Sequence, residues 1–289
     1  MVAAQANTTK NISQKDLKWV TELAFEVGEF LIKKQSKISK LKVHHKEAQG
    51  VASEADVGAE KKILSAIKKK YPGHEFLAEE SAYEIFQGAK ERYEFLKEKE
   101  WVWIIDPLDG TNNFLNGLDY FAICISLVHF GEPVLGVVYR PVQGDLFTAL
   151  KGKGAHYQNV LLKRSSKLKS LTTEKTLSQC LLVTGFTTEK GELFDREFDL
   201  FKRMMGKSRG IRRMGSAALD LCYVAFGIFD AFWERGLAPW DVSAAGLICL
   251  ESGVVITSYE GEKFHPFQST IVAARPKIKA EIDRIIKSS

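Results

Sequence analysis

At 289 residues, with 45% apolar and 27% charged side chains, the chain has the composition of an ordinary globular protein, long enough to bury a large core. The formal charge of +5 and pI near 8.8 favour anionic ligands, but lysines and acids are mixed along most of the sequence, so charge argues only weakly for a nucleic-acid partner. Cys124, Cys180, Cys222 and Cys249 stand singly in apolar surroundings without CxxC spacing, which excludes a disulfide scaffold and reads as four reduced core residues. The longest apolar stretch, Tyr120 to Phe130, is interrupted by His129 and too short for a bilayer, and there is no cleavable apolar leader, so a soluble, cytoplasmic chain is expected. Sequons at Asn7 and Asn11 would matter only in a secreted protein.

The first dozen residues are polar. Ser13 followed by Asp16 has the pattern of a capping box and predicts a helix through about Lys34, with Val20, Leu23, Ala24, Val27 and Leu31 on its apolar face. The lysine-rich segment from Lys34 to Lys46 lacks helical periodicity and reads as a loop or hairpin. A second helix runs from about Asp56 to Lys70, where Tyr71-Pro72-Gly73 stops it. Glu75 to Ala78 reads as a short strand ending in Glu79 and Glu80. Between residues 82 and 100, Tyr83, Phe86, Ala89, Tyr93 and Leu96 recur at helical spacing and predict an amphipathic surface helix.

From 101 to 150 strand-like segments follow one another, with a turn at Gly131-Glu132-Pro133, and mark the centre of a sheet. The second half alternates: strand near 180–184, helices near 194–205 and 216–226, strand near 229–233, helix near 241–251, strands near 253–257 and 269–274, and a last helix from Pro276. Such alternation predicts a mixed, layered α/β architecture. No Pro/Ser-rich linker divides it, so residues 1–289 are expected to form one unit, with internal halves of about 1–175 and 176–289.

Two short segments carry the chemistry. In Trp101-Val-Trp-Ile-Ile-Asp106-Pro-Leu108-Asp109-Gly110-Thr111, an apolar run delivers Asp106, and Pro107 and Gly110 bend the chain so that Asp109 points into the same space. In Pro239-Trp240-Asp241, a third carboxylate begins a helix. Carboxylates held that close repel unless a cation lies between them. Mg²⁺ suits the position, being small and satisfied by a few carboxylates, waters and a substrate phosphate. Taken singly, Asp109-Gly110 is a turn and Asp241 an N-cap; their joint occurrence points to a divalent-metal phosphatase site.

On these motifs the sequence resembles the inositol monophosphatase family of lithium-sensitive, metal-dependent phosphatases, and most of all its bacterial members. The likeness runs from roughly Ser53 to Ile285, taking in Asp56 with Glu60, Glu79-Glu80-Ser81, the Lys151-Gly-Lys-Gly-Ala turn, Gly215-Ser-Ala-Ala-Leu-Asp-Leu and Phe232-Trp-Glu234. It implies a five-layer αβαβα sandwich with mixed sheets, the sugar-phosphatase fold, usually as a homodimer. It implies that Glu79, Asp106 and the Leu108 carbonyl hold one Mg²⁺, that Asp106, Asp109 and Asp241 hold a second, and that a third, weaker ion is accommodated near Glu79. Asp56, Thr111 and Glu79 are then the catalytic residues that orient or deprotonate water, and the N–H groups of Gly110 and Thr111 receive the phosphate. Asp109, Gly215, Ser216, Ala217 and Glu234 contact a polyol.

The activity implied is hydrolysis of inositol 1-phosphate. Rivals are 3′-phosphoadenosine 5′-phosphate, fructose 1,6-bisphosphate or histidinol phosphate as substrate, or a regulatory scaffold associated with RNA. For Glu234 the plain alternative is a surface acid paired with Arg235 or Arg212. Ser243, Ser252 and Val254 depart from the family pattern, and the Ser243 hydroxyl is expected beside Asp241. Gly206-Lys-Ser208-Arg-Gly210 fits G-x-S-x-G but lacks the preceding core strand of a nucleophile elbow, and the six histidines lack zinc spacing.

Overall fold

Ser13 starts the first helix as its spacing predicts: its backbone N–H donates to Asp16 Oδ2 at 2.9 Å, and the other oxygen of Asp16 accepts from the Tyr71 hydroxyl at 2.6 Å. That phenol ties the start of α1 (Gln14–Gln35) to the end of α2 (Glu54–Lys70). The computed structural model describes residues 12–46, 50–86, 94–169, 175–186 and 191–288. The polar residues before Ile12, among them the sequon asparagines Asn7 and Asn11, lie outside them. The lysine-rich segment resolves as the hairpin alternative, β1 (Val43–Lys46) pairing antiparallel with β2 (Gly50–Ser53).

A seven-stranded sheet has the order β3 (Glu75–Ala78), β4 (Trp101–Asp109), β5 (Ala122–His129), β6 (Glu132–Arg140), β7 (Asp145–Leu150), β8 (Gly154–Asn159) and β9 (Arg164–Lys167). Only β3 and β4 are parallel; the other neighbours run antiparallel, β4 and β5 joined through residues 110–121 and those from β5 to β9 by short turns. Between β3 and β4 the expected long surface helix divides. Glu79 and Glu80 open a helix, α3 (Glu79–Phe86), where the strand was expected to end, Glu94–Glu98 form a single 3₁₀ stretch, and residues 87–93 lie outside the described segments. The five-residue α4 (Thr111–Leu115) follows β4 directly.

The second sheet has the order β11 (Gly210–Arg212), β10 (Leu181–Thr184), β12 (Ala231–Arg235), β14 (Thr270–Ala274) and β13 (Val255–Thr257). Its helices are α5 (Glu192–Lys207), α6 (Ala217–Phe226), α7 (Pro239–Ser252) and α8 (Pro276–Lys287).

Alternation along the strands sorts the layers. Trp103, Ile105, Ile123 and Ile125 meet Val20, Ala24, Val27, Ile63 and Ile67 of α1 and α2 on one face of the large sheet. From its other face Cys124, Val138 and Phe147 pack with α6 and α7, which in turn cover Val183, Phe232 and Ala273 of the small sheet. Leu182, Trp233 and Val272 point the opposite way, to Leu200 and Met204 of α5 and Ile278 and Ile282 of α8. The result is an αβαβα sandwich.

Amphipathicity follows from layer position. Alpha-helix α1 covers one face and is apolar on one side, whereas α6 and α7 lie between two sheets and are buried nearly all round. Small residues keep the middle layer thin: a Cβ on Gly136 of β6 would lie 2.7 Å from the Ala244 carbonyl oxygen of α7. All four cysteines are free and buried in these cores.

Candidate active site

The site begins with an irregularity in β4. Asp106 pairs with Cys124 and Asp109 with Ala122, so three residues of advance on β4 match two on β5. Without that bulge a three-residue separation would send the two carboxylates to opposite faces; with it they share the face of Cys124 and Ala122, toward the helices of the middle layer. Pro107 is tolerated at the bulge, which does not need its missing N–H. Gly110 then turns at φ +98, where a Cβ would meet the Tyr120 carbonyl oxygen at 3.0 Å.

Parallel pairing brings Glu79 to the same edge. Ala78 is opposite Ile105, so Glu79, the first residue of α3, follows the end of β3 beside Asp106 of β4. Glu60 of α2 fixes the chain there, accepting from the backbone N–H groups of Glu80 at 2.7 Å and Ser81 at 2.9 Å and from the Ser81 hydroxyl. Asp241, in the first turn of α7, has an oxygen accepting from the Ala238 N–H at 2.6 Å.

Asp56 is fully buried. Its Oδ2 accepts from the Ser53 N–H at 2.8 Å and the Ser53 hydroxyl at 2.6 Å, leaving Oδ1 to the Thr111 hydroxyl at 2.9 Å. The same hydroxyl lies 3.1 Å from the Leu108 carbonyl oxygen. Asp109 Oδ2 is held by the Ser216 hydroxyl at 2.6 Å and the Ala218 N–H at 2.8 Å, which bolts the start of α6 to the bulge.

Glu234 leaves β12 on the side of Phe232, and its carboxylate occupies the space a side chain at residue 185 would need: a Cβ on Gly185 would lie 2.2 Å from its oxygen. The plain pairing expected for it is not observed. Arg235 binds Glu197 at 2.8 Å, and Arg212 turns to the Ile211 carbonyl.

The electrostatics are those of buried acids gathered close together. Burial, reinforced by Glu79, Asp109 and Asp241, pushes Asp106 well above the usual carboxylate range. Burial raises Asp109 to about 6 against the bonds from Ser216 and Ala218. Burial also raises Asp56 despite the bonds from Ser53, and raises Glu234, with Asp241 and Asp220 adding to the effect and Arg213 opposing it. Among the described residues no three His, Cys, Asp or Glu side chains close into a ready coordination shell. Hard oxygen donors that raise one another's pKa are the donor set Mg²⁺ fits, since a divalent ion attracts each carboxylate and so offsets their mutual repulsion.

Ser243 departs from expectation: its hydroxyl bonds Ser126 Oγ at 2.8 Å, joining α7 to β5, instead of reaching Asp241. Sequence reasoning passed over Ser53 and Asn113. The pattern Ser-x-x-Asp at 53–56 was a legible signal for the first; for Asn113 nothing local marks its partners, the carbonyls of Tyr120 and Met214. Gly206 to Gly210 spans the end of α5 and the start of β11, with no core strand before Ser208.

An αβαβα sandwich with acids collected at strand ends and helix starts defines a class of phosphate-handling enzymes. The chain belongs to the inositol monophosphatase family, whose model matches residues 13–289. The family is one of phosphatases, generally Mg²⁺-dependent. The Nus factor SuhB of Pseudomonas aeruginosa is 35% identical over 256 residues, 88% of this chain and 89% of that protein. The extragenic suppressor protein suhB from Bartonella henselae aligns with a TM-score of 0.83 at 31% identity, over 96% of this chain and all of that one. The inositol monophosphatase from Anabaena (Nostoc) sp. PCC 7120 aligns with a TM-score of 0.74, also at 31% identity, over 95% of this chain and 96% of the other. Among the described residues no helix is long and apolar enough to cross a membrane.

Proposed function

We propose that this chain is a Mg²⁺-dependent phosphomonoesterase that hydrolyses inositol 1-phosphate, or a closely similar small polyol phosphate, to the alcohol and phosphate. The observation that carries the reading is the bulge that turns Asp106 and Asp109 to one face beside Glu79 and Asp241, with the Asp56–Thr111 hydrogen bond adjacent. Glu79, Asp106, the Leu108 carbonyl, Asp109 and Asp241 would hold two ions, and a third, weaker ion near Glu79 belongs to the same reading. Mg²⁺ bound there supplies a Lewis acid that lowers the pKa of water and stabilises the leaving oxygen.

The remaining work falls to the chain. Thr111 takes a proton from the attacking water as its own hydroxyl proton passes toward Asp56, and Glu79 helps orient that water. The N–H groups of Gly110 and Thr111 receive the phosphate oxygens. Glu234, Asp109 and the backbone of Gly215, Ser216 and Ala217 bind polyol hydroxyls. A carboxylate accepts hydrogen bonds, so an acid at 234 selects a hydroxyl-rich leaving group. A cytoplasmic homodimer, folded as one unit whose halves meet near residue 175, and lithium inhibition at the second ion site belong to the same reading.

The test is phosphate release with Mg²⁺ from inositol 1-phosphate, 3′-phosphoadenosine 5′-phosphate, fructose 1,6-bisphosphate and histidinol phosphate, each with and without Li⁺. Inositol 1-phosphate is expected to lead in kcat/KM. Another leader would remove the polyol assignment and leave the metal chemistry standing.

A second reading, an RNA-associated regulatory role, is supported by the Nus factor names of relatives and by a basic groove of about 410 Å³ lined by Lys202, Arg203, Lys207 and Arg284. Salt-sensitive RNA binding that survives Asp109→Asn would establish it; binding with no salt dependence or no binding would discard it.

A further inference from the structure

The two ends of the β4–β5 connection meet the loop before α6, about a hundred residues further along the chain, behind Asp109, and two side chains hold them together. Asn113, in α4, donates from Nδ2 to the Tyr120 carbonyl at 2.7 Å and to the Met214 carbonyl at 2.8 Å. It thereby joins the turn after Asp109, the entry to β5 and the loop that leads into α6. Tyr120 completes the clamp, its hydroxyl donating to Asp220 Oδ1 at 2.7 Å in the first turn of α6. Tyr120 is 7% exposed and Asp220 1%, and the Tyr120 ring packs against the Arg140 guanidinium, 4.9 Å from its centroid, and the Tyr223 ring at 6.0 Å. Arg140 is anchored in turn, with Nε on the Asp119 carbonyl at 2.9 Å and Nη1 on the Tyr223 hydroxyl at 2.8 Å.

What the clamp holds is the N-terminal turn of α6. Ser216 and Ala218 of that turn make the two hydrogen bonds that orient Asp109, and Gly215 to Ala217 are the backbone assigned above to the polyol. Asp220 is buried in the first turn of α6, so it needs a hydrogen-bond partner inside the protein; the phenol supplies it and keeps the helix start seated.

We infer that Tyr120 and Asn113 are positioning residues: through the Asp220 carboxylate and the Met214 carbonyl they set the Ser216–Ala218 turn, and so set Mg²⁺ affinity and substrate affinity together without touching either ligand. This rests on the reading of Asp109 as a metal ligand. Groups that orient a metal-binding carboxylate typically govern roughly 10- to 100-fold in metal affinity.

The experiment compares Tyr120→Phe with Tyr71→Phe, which removes a phenol-to-carboxylate bond of the same kind, to Asp16 at 2.6 Å, at the far ends of α1 and α2. Calorimetric titration with Mg²⁺ alone and steady-state kinetics on inositol 1-phosphate are run on wild type and both variants. Tyr120→Phe is expected to weaken Mg²⁺ binding and raise KM, each by roughly tenfold or more, with kcat at saturating Mg²⁺ nearly unchanged. Tyr71→Phe should lower thermal stability comparably and leave both affinities at wild-type values. Asn113→Ala should shift Mg²⁺ affinity and KM in the same direction as Tyr120→Phe. Loss of stability in Tyr120→Phe without a change in Mg²⁺ affinity, matching Tyr71→Phe, overturns the inference alone. A wild type that neither binds Mg²⁺ nor releases phosphate overturns the functional reading and takes this inference with it.

Discussion

Thr111 and Asp56 stand 55 residues apart in the chain, yet the threonine hydroxyl donates to a carboxylate that is wholly buried and already holds Ser53 by two hydrogen bonds. The second oxygen of Asp56 is therefore free to act only along the direction of Thr111. Thr111→Ala is expected to lower kcat by roughly 10²- to 10⁴-fold, the range for loss of a proton-transfer group, while Mg²⁺ affinity stays within a few-fold of wild type. Thr111→Ser should retain most of the rate. Equal losses in the two variants would refute a role for the hydroxyl.

Asp109 sits among acids that repel it and beneath donors that an amide oxygen also satisfies. Asp109→Asn should therefore fold, with a metal-free Tm at or above that of wild type. It should lose phosphatase activity and the gain in Tm on adding Mg²⁺. For wild type that gain corresponds to about 2.7 kcal/mol at 100 times Kd. Thermal melts with and without Mg²⁺ read both outcomes, and full activity in the variant would sink the metal assignment.

The same carboxylate predicts a pH dependence without metal. Burial raises Asp109 from an ordinary 3.8 to about 6, so the folded protein binds its proton more tightly than the unfolded chain does. The resulting stabilisation is present in full below about 4 and is lost as pH rises through about 6. Metal-free wild type should lose Tm relative to Asp109→Asn across that window and hold a constant difference above it. Saturating Mg²⁺ should abolish the difference or reverse it.

Ser243 offers a case in which chemistry and stability separate. Its hydroxyl bonds Ser126, and Ser126 keeps a second bond to the Leu135 carbonyl at 3.1 Å. Ser243→Ala is expected to cost about 0.5–1.5 kcal/mol in denaturant unfolding and to leave kcat/KM unchanged. A change in Mg²⁺ affinity would return the hydroxyl to Asp241.

Glu234 tests the polyol assignment. Glu234→Gln keeps the shape of the side chain but turns one acceptor into a donor. It should raise KM for inositol 1-phosphate by roughly 10- to 100-fold and change Mg²⁺ affinity little. Kinetics across the four substrates would expose the opposite case, an equal loss for all of them.

Legibility followed locality. Local signals, a capping pattern at Ser13 and the runs of apolar residues bounded by Gly or Pro, located α1, α2 and α5 to α8 closely. Of the stretch from 82 to 100, the described residues show α3 to Phe86 and a 3₁₀ turn over Glu94–Glu98, while Ala89 and Tyr93 of its apolar spacing lie outside them. Glu79 and Glu80 look like strand-end acids until Glu60, 20 residues away, is seen capping the backbone of Glu80.

Sequence by itself determined the acids, the bends and the order of elements: Asp106-Pro-Leu-Asp109-Gly110 and Pro-Trp-Asp241 state which carboxylates exist and that the chain turns beside each. Tertiary structure decided which way they face. The bulge depends on pairing with β5, the seating of Asp109 on the first turn of α6, and the destination of the Ser243 hydroxyl on the approach of β5 to α7. Each is a contact between residues far apart in sequence, whose energy exists only once loop closure has been achieved and the layers are packed, and local propensity carries no trace of it.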